Sequence, residues 1–122
     1  MKVGFYALIA TALLASAAWA GPADVVAARA AYTGGDTYSF SVTVRHADEG
    51  WQHYADRWEV LAPDGTILAT RVLLHPHEHE QPFTRDMYRV RVHAGVKSVI
   101  VEARDQQFGY GGRTVAVDLP GR

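Results

Sequence analysis

Thr37-Tyr38-Ser39-Phe40-Ser41-Val42-Thr43-Val44-Arg45 alternates without a break: Tyr38, Phe40, Val42 and Val44 fall on one face and Ser39, Ser41 and Thr43 on the other. Side chains along a β-strand point to opposite sides in turn, so this stretch predicts a strand with one face in a core and one in water. The same period of two recurs on both sides of it. Trp58 and Val60 mark a strand ahead of the turn chemistry of Pro63-Asp64-Gly65, and Ile67 to Leu74 the strand after it. Tyr88, Val90 and Val92 define another before Ala94-Gly95; Val99, Val101 and Ala103 the next; Val115 and Val117 the last. With Val25 to Tyr32 at the start, the expected strands run 24–32, 37–46, 56–62, 66–74, 85–93, 96–105 and 112–119. Seven short strands at this spacing, with Trp58 inside the third, predict an all-β antiparallel sandwich of Greek-key type.

Ahead of this domain, Lys2, the apolar run Val3 to Leu14 and the small residues up to Ala18-Trp19-Ala20 have the layout of a cleaved secretory signal peptide. The apolar run is shorter than the roughly 20 residues needed to span a bilayer. The expected organisation is a signal peptide over 1–20 and one domain over 21–122. There is no cysteine. That excludes disulfides, thiolate nucleophiles, iron–sulfur clusters, cysteine-ligated zinc and blue-copper centres, and offers no lipid-acceptor thiol after the apolar run. A periplasmic or secreted, soluble protein is expected. Removing Lys2 from the 12 basic residues leaves a small excess of the 13 acidic ones, so nothing in the charge favours nucleic acid or an anionic membrane as partner.

In such a sandwich the second-to-third, fourth-to-fifth and sixth-to-seventh connections share one pole. The opposite connections are plain turns: Thr33-Gly34-Gly35-Asp36, Pro63-Asp64-Gly65 and Ala94-Gly95. The shared pole is chemically rich. It carries every histidine except His93, among them His46 and His53, together with Asp48, Glu49, Asp56 and Asp105. The most specific stretch is His75-Pro76-His77-Glu78-His79-Glu80, where imidazoles at i, i+2 and i+4 would project to one side of an extended chain. His75 and His77 are the prime candidate ligands for a divalent ion, with His53, His79, Glu80 and Asp105 behind them. A nitrogen and oxygen set of this kind suits Zn²⁺ or Cu²⁺. Cu(I) is disfavoured because Met87 is the one thioether in the domain. The alternative is a solvated loop that holds no metal.

A second constellation spreads aromatic side chains over the same connections: Trp51, Tyr54, Phe83, Phe108 and Tyr110, with Arg85 beside them for a carboxylate or phosphate. They would either grip a protein or peptide partner or fold down to seal the core. Arg85 and Asp105 also invite an ion pair tying two loops together. Gly109, Gly111 and Gly112 predict a tight excursion with positive φ. The serines lie on strands, none in a nucleophile turn, and a sandwich this small offers little cleft to exclude water, so no enzyme is expected.

Trp51-Gln52-His53-Tyr54-Ala55-Asp56-Arg57-Trp58-Glu59-Val60 and His75-Pro76-His77-Glu78-His79-Glu80-Gln81-Pro82-Phe83-Thr84-Arg85 resemble segments of small secreted immunoglobulin-like proteins of proteobacteria. That group has no established activity, so the resemblance implies location and fold class only. The combined expectation is an immunoglobulin-like binding module that uses either a His-rich metal site or a metal-free aromatic surface. A purely structural envelope domain is the third alternative.

Overall fold

The computed structural model describes residues 21–122; the expected signal peptide, 1–20, lies outside the described residues. Among these residues there are seven strands: β1 (Asp24–Gly34), β2 (Thr37–Arg45), β3 (Ala55–Leu61), β4 (Ile67–Val72), β5 (Phe83–Arg91), β6 (Ser98–Asp105) and β7 (Val115–Asp118). They form two antiparallel sheets ordered β1-β2-β5 and β4-β3-β6-β7. The all-β sandwich expected from the alternation is the observed architecture. In the constant-type immunoglobulin arrangement the fourth strand joins the first, second and fifth; here β4 lies beside β3 in the other sheet. Among the described residues no helix is long and apolar enough to cross a membrane.

The core lies between the sheets. Tyr38, Phe40, Val42 and Val44 of β2 face Trp58 and Val60 of β3 and Val99, Val101 and Ala103 of β6, all buried. β1 is alanine-rich and mostly half-exposed, an edge strand whose Val25 alone is fully covered. Opposite Tyr38 and Phe40 the partner strand β5 carries an extra residue. Arg89 takes a left-handed φ of 57° at that bulge.

The expected turns at 33–36, 63–65 and 94–95 are found at one pole, so the other three connections do share the opposite one. Gly109 has the positive φ anticipated for the last of them. Gly112 serves a different purpose. A Cβ there would sit 1.8 Å from the carbonyl oxygen of Ala23, so only glycine lets this loop lie against the start of β1. The close approach is fastened by the Arg113 N–H donating to Asp24 Oδ1 and the Val25 N–H donating to the Arg113 carbonyl.

The outer face of the larger sheet holds a paired carboxylate. Glu59 and Glu102 are direct cross-strand partners, and Glu59 is buried. Arg104 does not join them; it bonds Asp56, which lies nearer its end of β3. Burial, then the neighbouring Glu59 charge, push the Glu102 carboxyl above its ordinary pKa. A carboxylate raised in the folded state stabilises the fold while protonated, and that contribution is lost as pH rises through the folded value. Glu102→Gln is therefore expected to raise stability at pH 7 by about 0.2–1 kcal/mol, the scale of cross-strand charge pairs, and to leave it unchanged at pH 4 or below. Urea denaturation at the two pH values measures the difference.

Candidate metal centre

At the loop-bearing pole the core-facing rows of β2 and β6 run on into polar residues. Val42 and Val44 point inward, and so does His46, two residues further and 3% exposed. Val101 and Ala103 point inward, and so does Asp105, fully buried at the end of β6. His53 precedes the buried Ala55 of β3 by the same two residues and is itself buried. Three strand ends from both sheets thus deliver His46, His53 and Asp105 to one point. One ligand atom from each lies within 4.8 Å of the others.

Each imidazole is oriented from behind. His46 Nδ1 and Asp48 Oδ1 are 2.6 Å apart, and His53 Nδ1 and Glu49 Oε1 are 3.0 Å apart. When both Nδ1–H groups donate to these carboxylates, both Nε2 atoms carry lone pairs. Those Nε2 atoms face Asp105, at 3.8 Å from Oδ2 for His46 and 3.3 Å from Oδ1 for His53. Neither contact is a hydrogen bond: His46 Nε2, His53 Nε2 and Asp105 Oδ2 are buried with no hydrogen-bond partner among the described residues. Asp105 Oδ1 already accepts the N–H groups of Gln107 and Phe108, which fixes the carboxylate. Three electron-rich atoms buried and turned toward each other are costly unless a cation sits between them. Imidazoles held by carboxylates on their far nitrogen are the usual outer shell of metal sites.

Asp48 joins the β2–β3 connection to the β4–β5 connection. It accepts the His46 ring, the Ala55 N–H at 3.0 Å and the His77 N–H at 2.7 Å. Burial opposes its charge, but the His46 ring and the N–H groups of His77 and Ala55 outweigh it and hold its pKa below the ordinary carboxylate value.

The expected ligands divide. His53 and Asp105 belong to the buried group. His75, His79 and Glu80 are exposed and not part of it. The i, i+2, i+4 projection requires an extended chain, yet β4 ends at Val72 and the segment bends at His75 and turns at Glu78 and His79. His77 alone of that run is buried; it stacks on Phe83 with ring centroids 4.0 Å apart, and both its nitrogens lack a partner among the described residues. Burial, followed by the nearby Arg85 and His75 charges, lowers its pKa. The imagined Arg85–Asp105 ion pair is replaced by Arg85–Glu80 at 3.1 Å, since Asp105 is sealed among histidines while Arg85 lies toward solvent. His46 and Asp48 were not among the expected ligands. Their signal is the inward parity of the β2 row, which continues one step past the strand.

The aromatic set is not one surface. Phe83 is core, 1% exposed, whereas Trp51 and Phe108 are 66% and 49% exposed. Trp51 meets Tyr54 edge-on at 5.8 Å, and Phe108 lies 5.6 Å from the His53 ring. Tyr110 is also exposed, and its phenol is raised in pKa by burial and by Glu59.

No family model matches the chain, and no solved structure matches it. Over 96 residues it is 42% identical to a protein of the archaeon Halomicrobium mukohataei described as "Putative lipoprotein". The match takes in 79% of this chain and 47% of that protein, so the chain spans about half the length of the curated relative it matches.

Proposed function

We propose that this chain is an extracytoplasmic binding module that holds one divalent transition-metal ion, Zn²⁺ or Cu²⁺, on His46, His53 and Asp105. The observation that carries the reading is that buried His46, His53 and Asp105 bring ligand atoms within 4.8 Å of one another while His46 Nε2, His53 Nε2 and Asp105 Oδ2 have no hydrogen-bond partner among the described residues. Two imidazole nitrogens and a carboxylate oxygen are a donor set both ions accept, at metal–ligand distances of about 2.0–2.2 Å. Three protein ligands leave a fourth position for water or a ligand group from elsewhere. An extracytoplasmic location is supported by the layout of residues 1–20 and by the description of the archaeal relative. Kinship with the secreted proteins of proteobacteria, a periplasmic setting and a binding rather than catalytic role belong to the same reading.

The test is metal analysis of the protein expressed with its leader and purified without a histidine tag, followed by titration of the demetallated protein with Zn²⁺ and Cu²⁺. One tightly held equivalent is the expected result. A metal-free protein that binds both ions only weakly would overturn the reading and shift attention to the exposed Trp51 and Phe108 as a grip for a protein or peptide partner.

A further inference from the structure

His77 is the buried imidazole of the pole that the metal centre leaves unexplained. Its side chain is 5% exposed, both ring nitrogens lack a partner among the described residues, and Phe83 fixes the ring plane by stacking. Buried polar atoms without partners are costly and call for a ligand. The ring next to it is that of the exposed His75, with centroids 4.7 Å apart and planes tilted by 37°. His46 and His53 have the same centroid separation, 4.7 Å. Two imidazoles sharing an ion through bonds of about 2.0–2.1 Å place their centroids roughly 4.5–5 Å apart. His75 Nδ1 lies 3.2 Å from the Pro76 carbonyl, so an Nδ1–H donated there leaves Nε2 free to ligate. The nearby cation Arg85 is neutralised by Glu80 and packs over the Phe83 ring at 5.5 Å.

We propose that His75 and His77 form a second, outer divalent-cation site, open to solvent on the exposed His75 side and backed by the buried His77, of the nitrogen-and-water kind in which Cu²⁺ binds best, that captures the ion before it passes to the buried centre. Cu²⁺ leads the divalent series at such open imidazole sites. The two sites are mechanically joined, because the His77 N–H is held by Asp48, the carboxylate that also orients His46. The capture role rests on the reading of the buried centre as a metal site; binding at His75 and His77 does not.

Cu²⁺ alone, titrated into the untagged, demetallated protein and followed by calorimetry and electron paramagnetic resonance, tests both. The wild type is expected to take two equivalents. His75→Ala, at an exposed position, and His77→Phe, which keeps the stacking on Phe83, each remove the weaker one, and His46→Ala with His53→Ala removes the tighter one. If both equivalents survive His75→Ala and His77→Phe, or if the wild type takes one that only His46→Ala and His53→Ala abolish, the outer site is refuted while the buried centre stands. A single equivalent lost in His75→Ala and untouched by His46→Ala would establish the outer site and refute the inner one. For capture, stopped-flow loading of the inner site by substoichiometric Cu²⁺ should slow about tenfold in His75→Ala with its affinity unchanged; an unchanged rate refutes that role.

Discussion

Replacing Asp48 with Ala is expected to lower the stability of the metal-free domain by about 3–5 kcal/mol, the cost of removing one partner from a buried charged network. For a domain of this size that corresponds to a fall in Tm of roughly 15–25 °C. The side chain receives hydrogen bonds from the His46 ring and Ala55 at the two ends of its own connection, and from His77 in the connection after β4. Its loss leaves two backbone N–H groups and an imidazole unpaired at once. The sign of the pH effect follows from its lowered pKa. A carboxylate whose pKa is depressed in the folded state contributes stability above its ordinary, unfolded value of about 3.8, and loses it as pH falls through the folded value. Asp48→Asn should therefore be less stable than wild type at pH 7 and approach it in strong acid. Urea titrations at pH 7 and pH 2.5 read both; equal stability of variant and wild type at pH 7 would remove Asp48 from its central place.

The second large effect concerns the ion. Structural zinc sites bind with about 10–16 kcal/mol, so each of three or four ligands carries about 3–4 kcal/mol, a factor of roughly 10²–10³ in affinity. His46→Ala and His53→Ala are each expected to weaken the tight equivalent by that factor, and the pair to abolish it. Glu49→Gln, which touches only the far nitrogen of His53, should weaken it about 10–100-fold. In thermal melts, metal at a thousandfold excess over Kd raises the wild-type stability by about 4 kcal/mol, and this gain should vanish in the double variant. A metal-induced shift that persists there would place the ion elsewhere.

Most of the fold was legible because alternation is a strong signal when one face is buried. The run 37–45 was read as it stands, and the expected bounds of all seven strands agree with the observed ones to within about three residues. What the residues could not announce was which sheet β4 joins, since a polar and apolar pattern fixes a face and not a neighbour. At the site, the pole was legible and the ligand set only in part. His-Pro-His-Glu-His drew attention by density, but its ligand geometry depended on an extended backbone that stops at Val72. His46 and Asp105 are less conspicuous and better placed, because each continues a row already committed to the interior. Phe83 looked like a loop aromatic and proved to be core, since β5 begins two residues earlier than the expected 85 and carries it under His77.

His46 leaves β2 of the smaller sheet, whereas His53 leads into β3 and Asp105 ends β6 of the larger one. An ion gripping all three is a rivet through both layers. With it in place the sandwich cannot gape at that end without breaking a coordination bond, so amide hydrogens around Ala55, Gln107 and Phe108 should exchange far more slowly in loaded protein than in empty protein. The hairpin turn at Pro63-Asp64-Gly65, at the far end, should breathe at the same rate in either state.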